Sequence, residues 1–471
     1  MAARRASMWP VVMLLRSGAA RRGPNAQARR RIGSKVFTEM HERGLVGDVF
    51  PQASIEFRHL LESRAQTLYC GFDPTADSLH LGHLVPVMAL LNWQRSGHHV
   101  IALVGDATAR IGDPSGRTTC RDAVPCDVTK ERASALRAGL ERLFRNHVLF
   151  LWDGGLEKLG SMTMLNNSEW YDDLAVVDFL SGAGRRFRMG TLLGRHSVQR
   201  RLHSADGLSL SEFTYQAFQA YDFLQLYERY GCVIQLGGSD QLGNIMNGHD
   251  LISRMHDDHV YGITMPLITN VTGDKLGKTA GNAVWLNRDR TSPFDLYQYL
   301  LRLPDNDVER YLRLLTFLPL AEINSIMNGH RKQPEIRNAQ RRLAREVTLL
   351  VHGKEGLESA KRCTSTLYEG NLEALNAMSD QELREVFQGA PFYEFLLEPG
   401  TSILDACHRI NAVPEGRRGF ELIVAGAVSI NHERQNNPSQ LLIRGRHVLQ
   451  NGVTLLRVGK KNYYIIKWLS L

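Results

Sequence analysis

The chain has 471 residues, of which 43% are hydrophobic and 23% are charged, a balance that is typical of folded proteins and excludes a largely disordered chain. This length can hold about two to four domains, and no run of about 18 apolar residues is present that could span a bilayer. The net charge of +8 suggests a nucleic-acid partner, whereas six cysteines without paired spacing indicate neither a zinc site nor a disulfide framework.

Residues 1–38 differ in composition from the rest of the chain. They contain nine lysines and arginines and no acidic residue, whereas the remaining residues carry 48 basic and 49 acidic side chains. An arginine-rich segment with a short apolar patch is typical of a mitochondrial transit peptide and predicts a protein of the mitochondrial matrix. Two alternatives are a secretory signal, whose apolar core would be short here, and a disordered RNA-binding arm.

Short β-rich runs alternate with helical patterns between about residues 68 and 269. The predicted strands are residues 67–72, 100–105, 148–152, 232–236 and 263–268. This alternation predicts an α/β fold with a Rossmann-like, doubly wound parallel sheet. Ligands bind at the carboxyl ends of the strands in such sheets.

The first predicted strand leads into the sequence HLGH. His80 and His83 are three residues apart in the first turn of the helix that this sequence opens. Backbone donors and the positive end of the helix dipole favour phosphate there, and the imidazoles can donate to oxygens that gain charge in a reaction. The structural alternative is a solvated helix cap, because an HxGH tetrapeptide also occurs by chance.

A predicted helix at residues 208–227 carries polar residues on a stripe that should be buried. Tyr215, Gln219 and Asp222 are spaced i, i+4 and i+7, which places them on one face. Such a stripe indicates either a ligand site or a polar patch on a surface helix.

Two loops complete the pattern of candidate ligand contacts. A glycine-rich turn at residues 237–241 follows a predicted strand, and the sequence KLGKT at residues 275–279 places Lys275 and Lys278 around Gly277. Each loop alone is weak, because a KxGK sequence is usually a basic surface turn. Combined with the two histidines, the lysines predict a clamp on a triphosphate.

The pattern of apolar and charged residues changes twice in the C-terminal part of the chain. Residues 293–389 show helical periodicity, with a capping-box sequence at residues 379–382. Residues 401–471 alternate apolar and polar positions and hold ten basic against four acidic residues, which predicts a small α+β module that binds a phosphate backbone or, alternatively, a solvated basic face. The predicted boundaries are 1–38, 39–285, 286–395 and 396–471.

These motifs and their order resemble those of class I aminoacyl-tRNA synthetases of the tyrosyl kind, with HLGH and KLGKT as the two signatures. The resemblance extends from about residue 68 to the C-terminus. It implies a catalytic domain, an α-helical anticodon-binding domain and a small RNA-binding module. It further implies activation of L-tyrosine with ATP and Mg²⁺, transfer to tRNA(Tyr), a homodimer, and no tightly bound metal or organic cofactor.

The resemblance also assigns roles to residues. Tyr69 and Asp222 would receive the tyrosine hydroxyl. The residues implied to hold or line the rest of the amino acid are Asp73, Asp113, Tyr215, Gln219, Gln235 and Gln241. The catalytic residues implied are Thr75, His80, His83, Lys275 and Lys278, and those five would also contact ATP together with Cys70, Gly71, Asp73, Gly237, Gly238 and Asp240.

The chain departs from the family pattern at a few positions. Asp106 replaces a glycine, Pro86 lies early in the HLGH helix, and Arg117 replaces a lysine. Two other functions are compatible with the sequence. One is a catalytically inactive RNA-binding or splicing scaffold of the same fold, and the other is an enzyme of the same superfamily that activates a different acid. The intact HLGH and KLGKT signatures argue against the first, and the Tyr69 and Asp222 pair argues against the second.

Overall fold

A computed structural model describes residues 32–52, 55–116, 119, 124–154, 158–267, 278–279, 282–387, 390–459 and 462–469. The strands are β1 Val49–Phe50, β2 Thr67–Phe72, β3 His99–Val104, β4 Met162–Asn166, β5 Cys232–Gly238, β6 Tyr261–Met265, β7 Lys278–Thr279, β8 Asn282–Ala283, β9 Phe392–Leu396, β10 Val428–Ile430, β11 Glu433–Gln435, β12 Val453–Val458 and β13 Asn462–Leu469.

The α-helices are α1 Ile32–Arg43, α2 Ile55–Ser63, α3 Leu84–Arg95, α4 Asp106–Ile111, α5 Cys126–Asn146, α6 Ser168–Tyr171, α7 Val176–Ser181, α8 Met189–Leu193, α9 His196–Leu202, α10 Leu210–Tyr230, α11 Leu242–His256, α12 Pro293–Leu301, α13 Asp305–Leu315, α14 Leu320–Lys332, α15 Asn338–Thr364, α16 Leu372–Asn376, α17 Asp380–Val386, α18 Ile403–Arg409 and α19 Arg417–Val424. Short 3₁₀ or π turns lie at Leu81–His83, His147–Leu151, Ala183–Arg186, Ser239–Gln241, Pro334–Ile336 and Ser365–Glu369. None of the helices described is both long and apolar enough to cross a membrane.

The predicted doubly wound sheet is confirmed. Its strand order is β1-β6-β5-β2-β3-β4, with β2 to β6 parallel and β1 antiparallel at one edge. Alternate residues of β2 face opposite layers: Leu68 and Cys70 belong to one apolar core, and Tyr69 belongs to the other. The chain leaves β2 for β3 on one side and later places β5 on the other, so a switch point lies between β2 and β5.

One predicted strand is wrong. A π turn at His147–Leu151 follows α5 and ends before the extended Trp152, and the fourth strand, β4, begins later at Met162. An apolar run of this length fits a strand or a helix end equally well. Here the Arg95 guanidinium fixes the segment, because it lies 4.9 Å from the Trp152 ring and 4.7 Å from the Phe317 ring.

The helical region begins at α12 and contains the long helix α15. The capping box predicted at residues 379–382 is present, since Ser379 accepts from the Glu382 amide and Glu382 accepts from the Ser379 amide at 2.8 Å. Helix α15 is interrupted at Gly353, whose backbone angles are φ 71° and ψ −170°. Asn146 at the end of α5 donates to the carbonyls of Leu350 at 2.9 Å and Val351 at 3.4 Å, and so satisfies acceptors near the break.

The C-terminal module is a five-stranded sheet with the order β11-β10-β12-β13-β9, flanked by α18 and α19. Strand β9 pairs in parallel with β13, so this sheet begins at Phe392, ahead of the boundary placed at 396. One face of this sheet packs against the helical region. Val453, Leu455 and Ile465 share an apolar cluster with Leu383 and Phe387.

Helix α1 packs against the helical region. Val36 and Met40 are buried in the main core. The buried Arg43 donates to the carbonyl oxygens of Thr316 at 3.1 Å and Leu318 at 2.7 Å. The folded body therefore begins before residue 38, where the predicted leader ends.

Candidate active site

One cavity of about 320 Å³ lies at the switch point, a volume within the range of small-molecule sites. Most of the residues that the sequence assigned to two substrates line this single space. They are Tyr69, Cys70, Gly71, Asp73, Thr75, His80, His83, Asp113, Tyr215, Gln219, Asp222, Gln235, Gly237, Gly238, Asp240 and Gln241. Lys275 lies outside the described residues, and of Lys278 only the main chain is described.

The HLGH turn presents two donors to the cavity. The Nδ1 atom of His80 accepts from the Gly82 amide at 3.1 Å, and that of His83 accepts from the His80 amide at 3.0 Å. A neutral imidazole that accepts at Nδ1 carries its proton on Nε2. Because both rings line the cavity at the start of α3, their Nε2–H groups add to the positive end of the helix dipole and favour an anion.

The segment that follows the second signature lies beside this turn. The Leu81 amide donates to the Val284 carbonyl at 2.9 Å, and the Leu286 amide donates to the Leu79 carbonyl at 2.8 Å. Ala283 in turn pairs with Lys278 in the β7–β8 hairpin. The main chain of Lys278 is thus joined to the HLGH turn through one hairpin and two backbone hydrogen bonds.

The lining of the cavity also includes a buried carboxylate. Helix α10 begins with a capping box between Ser209 and Glu212, and its inner face carries Asp222. The Asp222 carboxylate accepts from Trp170 Nε1 at 2.9 Å and from Asn167 Nδ2 at 3.1 Å. Burial raises the pKa of Asp222 to about 7, and these two hydrogen bonds act in the opposite direction because they stabilise the charged form.

Two polar atoms beside Asp222 have no hydrogen-bond partner among the described residues. They are the hydroxyl of Tyr69 and Oε1 of Gln235, and both side chains are buried and line the cavity. Burial and the Asp222 charge raise the pKa of Tyr69, so its hydroxyl stays protonated. A buried polar atom without a partner is costly, which indicates that a ligand with polar groups of its own completes this end.

The lining of the cavity also carries acceptors. Asp113 accepts from Gln241 Nε2 at 2.7 Å and from the Ser115 amide at 2.8 Å. The Gln219 amide oxygen accepts from Asn244 at 3.0 Å. A carboxylate and an amide oxygen on the lining suit a ligand that brings several donors, such as an ammonium group.

The glycine-rich turn predicted at residues 237–241 is the end of β5, which includes Gly237 and Gly238, and a 3₁₀ turn at Ser239–Gln241, and the two glycines allow close approach. A Cβ atom on Gly238 would lie 2.6 Å from Oδ1 of Asp240, and one on Gly237 would lie 2.9 Å from the Cβ of Gln241. Both contacts are too short for a larger residue, so glycine is required for Asp240 and Gln241 to reach the cavity. This geometry suits hydroxyl donors of a sugar opposite Asp240.

Two of the departures from the family pattern lie in the part of the chain that the structure describes. Asp106 is buried, but it lines a separate cavity with Lys130, Asn166 and Asp172 rather than the cavity at the switch point. Pro86 lies within α3 and lines the main cavity. Arg117 lies outside the described residues.

Four residues of the site were missed by the sequence reasoning. Thr108, Asn167, Trp170 and Asn244 hold the predicted ligand contacts in place through hydrogen bonds. They are single polar residues on different elements, so no spacing or motif marks them. Within the described part of the chain, no group of three or more His, Cys, Asp or Glu side chains could hold a metal ion.

Known proteins resemble the chain over most of its length. The family model for tRNA synthetases class I (W and Y) matches residues 61–369. The mitochondrial tyrosine–tRNA ligase of Homo sapiens is 58% identical over 435 residues, which is 91% of each chain. That of Drosophila melanogaster is 48% identical and covers 93% of this chain and 96% of its own. A solved structure, the C-terminally truncated mitochondrial tyrosyl-tRNA synthetase of Aspergillus nidulans, has a TM-score of 0.65 at 33% identity and covers 73% of this chain and 99% of its own.

Proposed function

Because the chain belongs to the class I tRNA synthetases (W and Y), we propose that it activates L-tyrosine with ATP and transfers it to the terminal ribose of tRNA(Tyr). The chain is an aminoacyl-tRNA ligase with ATP as a substrate. Its relatives at 48–58% identity are named mitochondrial tyrosine–tRNA ligases, which favours this function over an inactive scaffold of the same fold.

The observation that carries the choice of tyrosine is the polar end of the cavity. Asp222 can accept a hydrogen bond from a phenol, and the buried hydroxyl of Tyr69 and amide oxygen of Gln235 have no partner among the described residues. Tyrosine brings a hydroxyl that can bond to this end. Phenylalanine would leave these buried groups unpaired, and that penalty selects against it.

The opposite end supports adenylate formation. The tyrosine carboxylate would attack the α-phosphorus of ATP, forming the new C–O–P bond while pyrophosphate leaves with the negative charge. His80 and His83 line the same cavity as Thr75, and their Nε2–H groups, with the helix N-terminus, would stabilise that charge. We assign Lys275 and Lys278 to the same role because the β7–β8 hairpin joins the HLGH segment.

The remaining substrate contacts follow from the lining of the cavity. Asp113, Tyr215 and Gln219 would receive the ammonium group, and Asp240 would receive ribose hydroxyls. Holding both substrates in one cavity supplies most of what such a reaction requires, because it replaces a bimolecular encounter with a fixed geometry. Mg²⁺ would arrive with the ATP phosphates as part of the substrate.

The assembly and location are also proposed. Helices α7 and α8 expose Val176, Val177, Leu180 and Met189, each more than half exposed, and a second copy of the chain would cover these apolar side chains in a homodimer. The relatives are mitochondrial by name, and the acid-free leader supports import into the matrix. A cleaved leader would end ahead of Val36, which is buried in the folded body.

The helical region and the C-terminal module are proposed to contact tRNA. The helical region would bind the anticodon arm, and the basic module of residues 401–471 would bind the phosphate backbone. The strand β9 joins the module to the helical region, so we place the start of the module at Phe392.

Exchange of labelled pyrophosphate into ATP tests the proposed substrate. The full chain is expected to catalyse exchange with L-tyrosine and not with phenylalanine or tryptophan. Exchange with tryptophan instead would show that the chain activates tryptophan, the other amino acid of its family. An absence of exchange with all three, together with binding of tRNA, would favour the inactive scaffold.

A further inference from the structure

Asn167 is a fully buried residue whose hydrogen-bonding groups are all used. Its Nδ2 donates to Asp222 Oδ2 at 3.1 Å and to Thr108 Oγ1 at 2.9 Å. Its Oδ1 accepts from the Ala107 amide at 2.9 Å, at the first turn of α4. A side-chain amide bonded on three sides has one orientation only, so Asn167 fixes the position of whatever it contacts.

Thr108 extends this contact to a second carboxylate. Its hydroxyl accepts from Asn167 and donates its single proton to Oδ1 of Asp73 at 2.9 Å, a better distance than the 3.2 Å to the Gly105 carbonyl. Gly105 makes room for this bond, because a Cβ atom there would lie 2.0 Å from Asp73 Oδ1 and 2.4 Å from Thr108 Oγ1. The side chains of Asp73, Thr108, Asn167 and Asp222 thus form one continuous chain of hydrogen bonds.

The two carboxylates at the ends of this chain face different parts of the cavity. Asp222 also accepts from Trp170, at the hydroxyl end. Asp73 also accepts from the Tyr215 hydroxyl at 2.8 Å, at the ammonium end. Each carboxylate therefore accepts from this chain of hydrogen bonds and from neighbouring aromatic side chains, which for Asp222 are Trp170 and Tyr171.

We propose that Thr108 and Asn167 form a neutral bridge that sets the spacing between Asp73 and Asp222, and with it the length of the amino acid that the cavity accepts. This rests on the proposed function. Thr108 and Asn167 are positioning residues: they act through the two carboxylates. The ligand selected is one with an ammonium group and a hydroxyl group separated by the length of a para-substituted aromatic side chain.

The neutrality of the bridge matters because the two carboxylates repel each other in a buried site. A lysine or arginine between them would also hold them, but it would compete with the ammonium group of the substrate for the same negative charge. Hydrogen bonds from an amide and a hydroxyl hold the carboxylates and leave their charge available to the ligand.

Thr108→Val tests the bridge, because it removes the hydroxyl at nearly constant volume. In pyrophosphate exchange, KM for tyrosine is expected to rise by at least about tenfold, as for the loss of one hydrogen bond to a charged group. The ratio of kcat/KM for tyrosine to that for phenylalanine should fall, because only tyrosine uses both ends. KM for ATP and the midpoint of thermal unfolding should change little. Thr108→Ser, which keeps the hydroxyl, should restore the wild-type ratio.

The outcomes separate this proposal from the proposed function. A wild-type chain that activates no tyrosine overturns the function itself, before any variant is made. An active wild type with unchanged tyrosine KM and unchanged selectivity in Thr108→Val overturns the bridge alone. If Thr108→Val is insoluble, Thr108→Ala repeats the test without a methyl group against Asp73. If neither folds while Thr108→Ser is active, Thr108 serves folding and the bridge is again overturned.

Discussion

At the scale of single residues, Asp222 shows how the fold prepares a group for a ligand. A carboxylate this deeply buried would be protonated at neutral pH without help, and the donors Trp170 and Asn167 supply that help. The outcome is a pKa of about 7, far above the ordinary value of 3.8. Its charge state is therefore sensitive to pH near neutrality.

Binding of tyrosine should depend on pH for this reason. The phenol donates to the ionised carboxylate, which is populated above about pH 7 and lost by protonation as the pH falls. The dissociation constant of tyrosine in the absence of ATP should rise by up to about tenfold per pH unit below about pH 7. Calorimetric titration measures this, and Asp222→Asn is the control that should remove the dependence. A dissociation constant that stays flat through that range would contradict the assigned role of Asp222.

Some residues of the site could be identified from the sequence alone, and others could not. His80, His83, Tyr215 and Asp222 lie in motifs or on one helical face, so local spacing was enough to single them out. Thr108 and Asn167 contact Asp222 and Asp73 across separate elements. Their importance depends on which strands are neighbours, and no pattern within one segment encodes that.

At the scale of elements, the break in α15 lies where the helical region packs against the end of α5. Gly353 has a positive φ and a ψ near 180°, a region that is open essentially to glycine alone. A Cβ atom at this position would lie 3.3 Å from the Phe150 ring and 3.5 Å from Asn146 Oδ1. The break, the cap from Asn146 and the π turn at the end of α5 therefore depend on one another.

Gly353→Ala should destabilise the chain. Forcing alanine into this conformation costs on the order of 1–3 kcal/mol in the free energy of unfolding. Gly329→Ala is the matched control, because Gly329 is an exposed residue of α14 with open space around it, and alanine there should stabilise by about 0.5–1 kcal/mol. Urea denaturation measures both, and equal changes in the two variants would show that the break is not a constrained conformation.

The C-terminal sheet requires a gentler test than truncation. Removing residues 401–471 would strip β12 and β13 from β9 and expose the apolar cluster shared with α17. Any loss of charging could then reflect unfolding. Substitution of exposed basic residues avoids this difficulty.

Arg434→Glu with Arg444→Glu should weaken tRNA binding and leave tyrosine-dependent exchange unchanged. Both arginines are exposed, whereas Arg417 and Arg446 form ion pairs with glutamates. Each lost phosphate contact should reduce the slope of log Kd against log salt by about 1. The exposed Arg58 on α2, changed to glutamate, is the control for net charge. An unaltered slope of log Kd against log salt in the double variant would show that the module does not contact the tRNA.

At the scale of the whole molecule, sequence predicted the order of regions better than their edges. The parallel sheet, the helical region and the C-terminal α+β module follow from periodicity and were confirmed. The strand predicted at residues 148–152 was wrong because a short apolar run fits a strand or a helix end until its neighbours are known. The contacts of Arg95 with the Trp152 and Phe317 rings, which hold this segment in place, come from parts of the chain that are distant in sequence. Edges such as Phe392 depend in the same way on a distant partner strand.

The proposed function requires one cavity that serves both substrates. The HLGH turn and the Asp222 carboxylate line the same space, although 139 residues separate His83 from Asp222 in the chain. A single ligand can therefore span from the hydroxyl pocket to the anion site, as tyrosyl-adenylate must.

The most direct test is a crystal structure of the full chain with a stable sulfamoyl analogue of tyrosyl-adenylate. The phenol oxygen should lie within hydrogen-bonding distance of Asp222 and Tyr69, and the sulfamoyl group should face Nε2 of His80 and His83. An analogue bound with its phenol ring away from Asp222, or with its sulfamoyl group away from the HLGH turn, would contradict the account.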